Sequence, residues 1–126
     1  MKLEQERRRF ERVLFETPAK LIDLEGEWPT KVLDLSLKGA LVEIPANFNR
    51  SLGESFLLEI ALNSDIIISM DCTIVYQREK FMGLQSNFVD LESITHLKRI
   101  ISFNSNNSLD LLERDLSNLI SNQYYS

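Results

Sequence analysis

The sequence predicts a mainly β protein in which a small barrel of six antiparallel strands is followed by two α-helices. Short segments of alternating apolar and polar residues occupy the chain from residue 15 to residue 89. Turn signals rich in Gly, Asn, Asp and Ser separate these segments at intervals of about 8 to 12 residues. After residue 90 the apolar residues recur at the spacing of three and four that is typical of a helix. The length of 126 residues fits one domain.

The six predicted strands follow one another with short connections. They cover residues 15–25, 28–37, 40–44, 54–62, 66–78 and 81–89. The pattern predicts a hairpin turn at Glu25-Gly26-Glu27, a loop over residues 45–53 and a tight turn at Asn63-Ser64-Asp65. In the long fifth strand, one predicted core face consists of Ile66, Ile68, Met70, Cys72, Ile74 and Tyr76.

The second strand carries the most informative alternation. A period of two places the leucines at positions 33, 35 and 37 on the core face and directs Asp34 and Ser36 outward together. Gly39 follows at a point where the chain must bend or admit the close approach of another backbone. We therefore expect an outward-facing strand end that carries a carboxylate and a hydroxyl.

Two helices are predicted after the barrel. The apolar residues at 94, 97, 100 and 101 share one face of the first helix, and Asp90 or Ser93 is its expected N-cap. The second helix covers about residues 109–120, with Ser108 as its expected cap. We expect residues 91–126 to pack on the barrel, over an open end or a face. A surface for a partner protein is the alternative role for these helices.

The formal net charge of −5 is unevenly distributed. Residues 1–12 hold five basic and three acidic side chains and sum to +2, so the remaining residues sum to −7. An acidic body repels a long phosphate backbone, which argues against DNA or RNA binding but allows a small anion held by a local basic segment. Because residues 1–12 have few apolar anchors, we expect a flexible basic arm ahead of a barrel over residues 13–90.

Catalytic chemistry finds little support in the sequence. His96 is the only histidine, the four glycines are scattered singly, and no serine lies in a nucleophile elbow. We therefore expect neither enzyme activity nor a metal or cofactor. No apolar run approaches the roughly 20 residues of a membrane span, the N-terminus has no apolar signal-peptide core, and the single Cys72 excludes an internal disulfide. These features favour a cytoplasmic protein in which Cys72 is buried.

Two short motifs point to the recognition of a small anion. Arg7-Arg8-Arg9-Phe10-Glu11-Arg12 places four arginines within six residues, and Asp34-Leu35-Ser36-Leu37-Lys38-Gly39 follows later in the chain. Arginine meets phosphates and guanine edges with paired hydrogen bonds and stacks on flat bases, while Asp and Ser supply acceptors and a small donor. We interpret the first motif as an arm that closes against the second. A solubilising tail and an ordinary solvent-facing strand are the alternatives.

Together the two motifs resemble the signature of PilZ domains, the bacterial receptors for cyclic di-GMP. Arg8 and Arg12 match an RxxxR motif, and Asp34, Ser36 and Gly39 match a [D/N]xSxxG motif. The resemblance, extended by helices similar to the tail of small stand-alone PilZ proteins, accounts for nearly the whole chain. It implies a PilZ-type six-stranded barrel that binds cyclic di-GMP on its outer surface.

The resemblance also implies a role for each motif residue. Arg8 and Arg12 would grip phosphates and guanine edges and stack on a base. Asp34 and Ser36 would bond the polar edge of a guanine. Gly39 would allow the strand end to approach the ligand. These five residues form the expected centre of the site.

Four further residues are expected near the ligand. By resemblance, Arg7 favours two stacked cyclic di-GMP molecules per chain over a single one, since additional bases need another cationic face. Arg9 lies within reach of the same ligand, and a solvent-facing side chain is the alternative. Tyr76 and Arg78 end the longest strand and are placed to contact a base by stacking and by charge. An ordinary barrel aromatic is the alternative role for Tyr76.

The expected function is that of a cyclic di-GMP receptor and effector. Binding would order the arm and change a surface that an unidentified downstream protein recognises. We expect a monomer that binds neither DNA nor RNA. The main alternative is a PilZ-like adaptor that acts without ligand, and an RNA-binding arm is disfavoured by the acidic body.

Overall fold

The computed structural model describes residues 13–104 and Gln123. Its elements are β1 (Val13–Asp23), β2 (Gly26–Ser36), β3 (Gly39–Glu43), β4 (Ser55–Ala61), β5 (Ile67–Arg78), β6 (Phe81–Val89) and α1 (Leu91–Asn104). The six strands close a barrel in the order β1-β2-β3-β6-β5-β4, and each neighbouring pair is antiparallel. The predicted mainly β class and the six-stranded antiparallel barrel are therefore confirmed. The second predicted helix lies outside the described residues.

Inward-facing side chains from alternating positions fill the barrel. Leu21 of β1 pairs with Leu58 of β4, which pairs with Met70 of β5, and all three side chains are fully buried. Cys72 belongs to the same core, as the sequence predicts. Burial, helped by the nearby charge of Asp71, raises the pKa of the Cys72 thiol to about 12. The thiol is therefore protonated and poorly reactive at neutral pH.

A bulge in β2 changes which residues face the core. The pairing of β2 with β3 shifts between Val32 and Asp34, and such a shift inserts an extra residue into the alternation. Val32 and Leu35 are both fully buried as a result, whereas Leu33 is only half-buried. The prediction that Leu33 lies in the core was wrong, because counting by twos does not allow for the bulge. Leu37, predicted on the same face, is buried.

A second bulge turns Tyr76 out of the barrel. The pairing of β5 with β6 shifts between Ile74 and Tyr76, and Tyr76 is 42% exposed. Its side chain packs on Gly83 of β6, where an added Cβ would lie 3.3 Å from both Cβ and Cδ2 of Tyr76. The prediction that Tyr76 shares the core face of this strand was therefore wrong. Tyr76 is a surface aromatic that covers a glycine.

The loop over residues 44–54 joins β3 to β4 and contributes to the core. Its Phe48 packs against Trp28 of β2 and Phe56 of β4, with ring centroids 5.7 and 5.5 Å away. The guanidinium carbon of Arg50, in the same loop, lies 5.0 Å from the centre of the Trp28 ring. The loop is therefore held to the barrel by aromatic packing and by a cation over a ring.

The helix α1 begins where the sequence predicts. Asp90 is its N-cap, since one carboxylate oxygen accepts a hydrogen bond from the backbone N–H of Ser93 at 3.2 Å. The Ser93 hydroxyl accepts a hydrogen bond from the N–H of Ser69 at 3.0 Å, which ties the first turn of α1 to β5. The apolar residues at 94, 97, 100 and 101 are buried against the barrel. Within the described residues, no helix combines the length and hydropathy that a membrane crossing needs.

Gln123 attaches the chain after α1 to the end of β6. The N–H of Val89 donates a hydrogen bond to Oε1 of Gln123 at 2.8 Å, and Nε2 of Gln123 donates to the carbonyl of Val89 at 3.0 Å. A side-chain amide thus imitates the two backbone bonds of a neighbouring strand.

Candidate ligand-binding site

The turn between β2 and β3 is built around the hydroxyl of Ser36. Ser36 pairs with Gly39, and Leu37 and Lys38 form the turn between them. The hydroxyl accepts a hydrogen bond from the N–H of Lys38 at 3.1 Å and donates a long one to the carbonyl of Gly39 at 3.5 Å. Ser36 is only 8% exposed, so the expectation that its side chain points outward together with that of Asp34 was wrong. The turn folds over the side chain and uses its hydroxyl.

Gly39 is required by the contact between β3 and β6. A Cβ at this position would overlap the carbonyl oxygen of Leu84 and would lie 3.2 Å from the carbonyl carbon of the same residue. Neither atom can yield easily, because both belong to the backbone of a paired strand. The close backbone approach predicted at Gly39 is therefore that of β6, and it is a property of the barrel itself.

Lys38 connects the turn to β6. Its carbonyl accepts a hydrogen bond from the N–H of Ser86 at 2.8 Å, and its ammonium donates one to the carbonyl of Ser86 at 3.3 Å. The hydroxyl of Ser86 is buried and has no hydrogen-bond partner among the described residues. The two residues therefore interact through the backbone of Ser86, with its side chain taking no part.

The strand register places Asp34 in a row that runs across the outside of five strands. Leu14 pairs with Asp34, Asp34 with Leu41, Leu41 with Gly83, and Gly83 with Tyr76. With strands about 4.8 Å apart, three strand spacings separate Asp34 from Tyr76 by roughly 14 Å. Tyr76 therefore lies in the same outer row as Asp34 but at its far end. Gly83, which has no side chain, lies next to the Tyr76 ring.

Arg78 lies farther from the motif turn. It pairs with Phe81, which pairs with Glu43, and this row is two residues farther along the strands from Ser36 than the row of Asp34. The structure thus brings together the three residues of the second motif. It leaves Tyr76 at the edge of that region and Arg78 beyond it.

The N-terminal end of β1 lies beside the second motif. Val13 pairs with Leu35, the residue between the Asp and the Ser of that motif. The preceding Cα can be only about 3.8 Å from that of Val13, so the first motif joins the barrel at this place. Outside the described residues lie its arginines, Arg7, Arg8, Arg9 and Arg12.

Arg50, which the sequence did not single out, is the centre of a charge cluster at the other end of the β1–β2 hairpin. It is hydrogen-bonded to Glu25, lies 3.3 Å from Asp23 and 3.6 Å from Glu54, and its side chain is 13% exposed. Desolvation alone would lower the pKa of Arg50, but hydrogen bonds and charges from Glu25 and Asp23 outweigh it and raise that pKa. Asp23 and Glu25 lie far from Arg50 in the sequence, and no local pattern indicates them. Arg50 therefore has a structural role in the fold.

The part of the chain that the structure describes contains no group of three or more His, Cys, Asp or Glu side chains arranged to hold a metal ion.

These features define a class of protein: a closed six-stranded antiparallel barrel with a polar, glycine-ended turn that lies beside the point where the chain enters. The chain belongs to the PilZ domain family, because the model of the PilZ domain matches residues 6–103. The family predicted from the two motifs is thereby confirmed.

Two solved structures share this fold. The PilZ domain of Escherichia coli YcgR, solved with c-di-GMP, aligns with a TM-score of 0.66 and 16% identity over 89% of this chain and 95% of that one. The inhibitor of motility MotI/DgrA from Bacillus subtilis aligns with a TM-score of 0.62 and 19% identity over 75% of this chain and 49% of that one. The chain thus spans about half the length of the motility inhibitor. Identities this low establish similarity of fold.

Proposed function

We propose that this protein is a bacterial receptor for cyclic di-GMP and acts as an effector, without enzyme activity or a cofactor. Membership of the PilZ family supports the proposal, as does the fold shared with a domain solved with c-di-GMP. The observation that carries it is the pairing of Val13 with Leu35. This register joins the segment with Arg8 and Arg12 to the barrel beside the strand with Asp34. We therefore propose that the two motifs, which are separate in the sequence, contribute to one site.

The chemistry of the ligand suits these residues. Cyclic di-GMP is a compact dianion with two guanines, so it needs bidentate cations for its phosphates and acceptors for its guanine N–H groups. Arg8 and Arg12 supply the cations, and the carboxylate of Asp34 supplies an acceptor. Ser36 holds the turn through its hydroxyl and presents the strand end to the guanine. Gly39 keeps this end against β6, with no side chain above it.

The remaining candidates extend the site along the barrel. Arg7 provides the additional cationic face for a second, stacked ligand molecule, and Arg9 adds positive charge to the same arm. Tyr76, about 14 Å from Asp34 along the outer row, stacks on a base of an extended or doubled ligand. Arg78 lies two residues beyond Tyr76 along β5 and contributes charge at longer range.

The mechanism that we propose is ligand-driven ordering of residues 1–12. These residues sum to +2 and the remainder to −7, and the ligand neutralises the arginines as the arm folds across the barrel. The covered face becomes the surface that a downstream protein recognises in the cytoplasm, with the receptor acting as a monomer. Amides of residues 2–10 should gain hydrogen-exchange protection when cyclic di-GMP is added. Unchanged protection of these amides would contradict the ordering step.

The test of the function is a calorimetric titration with cyclic di-GMP. Arg8→Ala and Arg12→Ala should each weaken binding by about a hundredfold, because each removes charge-assisted hydrogen bonds worth about 3 kcal/mol. Arg99→Ala is the matched control, since Arg99 is an exposed arginine on α1. This variant should bind cyclic di-GMP with the affinity of the wild type. Binding that both motif variants retain in full would contradict the assigned site.

The stoichiometry of the same titration tests the role of Arg7. Two ligand molecules per chain, falling to one in Arg7→Ala, is the expected result. A wild-type stoichiometry of one would remove the stacked pair from the proposal and leave the receptor function intact.

A ligand-independent adaptor is the second candidate. It is favoured by one observation, that a structural neighbour is an inhibitor of motility. Absence of any heat with cyclic di-GMP would transfer support to this candidate. Association with RNA that falls steeply with salt would instead indicate a nucleic-acid-binding arm.

A further inference from the structure

Lys38 replaces a backbone donor with its own side chain. In an antiparallel ladder a hydrogen-bonded pair exchanges two bonds, one from each backbone N–H. The last pair of β3 with β6 is Gly39 with Gln85, and the same register continued by one residue would place Lys38 opposite Ser86. The N–H of Ser86 donates to the carbonyl of Lys38 at 2.8 Å, but the return bond to the carbonyl of Ser86 comes from the Lys38 ammonium at 3.3 Å.

The backbone N–H of Lys38 is diverted to the motif serine. It donates to the hydroxyl of Ser36 at 3.1 Å, inside the turn. Because the N–H of Lys38 bonds Ser36, the carbonyl of Ser86 needs another donor at the end of the ladder. Without one, the free energy of folding would be less favourable by about the desolvation cost of one polar group. The ammonium removes this cost, so the turn keeps both its internal bond to Ser36 and its attachment to β6.

Few side chains can do this. The donor must leave the turn, bend back along it and reach a carbonyl on the next strand, which requires a long flexible stem ending in a donor. Lysine has such a stem and three donors, and Lys38 is half-buried. A shorter polar residue or an apolar residue at this position would release the turn from β6 on one side.

We propose that Lys38 is a positioning residue for the cyclic di-GMP site. The proposal rests on the proposed function and adds a residue that acts through the turn. By fixing the turn on β6, Lys38 holds Ser36 and the strand end with Asp34 in their binding geometry before the ligand arrives. Preorganisation of this kind strengthens binding because the ligand does not have to order the turn itself.

The experiment compares Lys38→Met, which keeps an apolar stem and loses the donor, with Lys38→Arg, which keeps a donor and the charge. In the ligand-free protein, the amide of Ser86 should exchange about tenfold faster in Lys38→Met, and cyclic di-GMP should bind about tenfold more weakly. Lys38→Arg should restore most of both values. Lys80→Met, at an exposed lysine in the β5–β6 turn, is the matched control and should leave both unchanged.

Two outcomes overturn the proposal. If Lys38→Met weakens binding while exchange at Ser86 is unchanged in the free protein, Lys38 contacts the ligand directly. If exchange accelerates while affinity is unchanged, the attachment serves the fold alone. Ser86→Ala provides a further check, since the attachment uses the backbone of this residue, and both the affinity and the Lys38 effect should persist in this background.

Failure of the proposed function gives a different result. A wild-type protein that shows no heat with cyclic di-GMP overturns the receptor function and, with it, the binding role of Lys38. Faster exchange at Ser86 in Lys38→Met of that same protein would still establish the attachment of the turn to β6.

Discussion

The two ends of the β1–β2 hairpin hold their polar residues in opposite ways. At the end near Glu25, one arginine, Arg50, is hydrogen-bonded and ion-paired with carboxylates and lies over an aromatic ring. At the other end, the turn after Ser36 is held by one hydroxyl, one ammonium and backbone groups of β6. The first end is stabilised by ion pairs between side chains. The second end is stabilised by hydrogen bonds to backbone groups.

The difference separates a structural arginine from a binding one. Arg50 is compensated by acidic neighbours of its own chain, so an external anion would have to displace Asp23 or Glu25 to reach it. The motif turn, by contrast, is fixed by hydrogen bonds that join Ser36, Lys38 and the backbone of β6. The number of arginines in a region therefore does not identify a binding site; the carboxylates around them decide it.

Substitution of Gly39 should have the largest effect at the motif end. In Gly39→Ala the new methyl overlaps the backbone of Leu84, and separating β3 from β6 should cost about 3 kcal/mol or more. Gly83→Ala is the control, since its methyl would lie 3.3 Å from Cβ and Cδ2 of Tyr76, a tight contact without overlap, and should cost about 1 kcal/mol. Urea denaturation measures both values. Equal losses would show that the backbone contact at Gly39 is not special.

Cys72 lies inside the barrel and reports on the core that both ends share. Its pKa is raised from 9.0 to about 12, so the folded state favours the protonated thiol. The stability that this contributes is complete below pH 9 and is lost as pH rises through the folded pKa, because the unfolded thiol ionises first. Relative to Cys72→Ala, the wild type should lose about 2 kcal/mol of unfolding free energy by about pH 10.5.

The quantity to compare is the difference in unfolding free energy between the wild type and Cys72→Ala as a function of pH. Other titrating groups are common to both proteins, so their contributions cancel in this difference. A difference that stays constant from about pH 8 to about pH 11 would mean that the thiol reaches solvent in the folded state.

Arg50→Met should weaken the opposite end without affecting ligand binding. It removes the partner of Asp23 and Glu25 and leaves these carboxylates to repel each other, so the melting temperature should fall by a few degrees and the fall should shrink in high salt. The affinity for cyclic di-GMP should remain that of the wild type. Arg50→Lys should recover part of the stability. A loss of affinity in Arg50→Met would break the separation of the two ends.

Ser86→Ala should have the smallest effect and the opposite sign. The hydroxyl is buried without a partner among the described residues, so its removal should leave stability unchanged or raise it by about 1 kcal/mol. The backbone groups that bind Lys38 remain in place. Thermal unfolding measures the change, and a clear loss of stability would reveal a hydrogen bond that the hydroxyl makes.

The sequence predicted the barrel well because its signals are local. Alternation and turn residues gave six strands within two residues of their observed ends, and Asp90 was correctly proposed as a cap of α1. Leu33 and Tyr76 were misplaced because a bulge adds one residue to one strand only, and no composition marks where that happens. Local patterns therefore predict the bounds of the strands better than the direction of each side chain.

The candidate site was predicted in part, for a similar reason. The motif residues were found because they lie within six positions of one another. Lys38 was passed over although it stands inside the motif, because its partner Ser86 is 48 residues away. Arg50 was missed because Asp23 is 27 residues away. Contacts at such separations are set by strand order, which becomes visible only when the barrel is closed.

The amide of Gln123 has a consequence for the end of β6. Because the barrel is closed, its strands offer no continuous free edge to a strand of another molecule. The end of β6 extends past Gln85, the last residue of this strand that pairs with β3, and there Gln123 bonds both backbone groups of Val89. The last turn of the β6 ladder is thus joined to a residue 34 positions later in the chain.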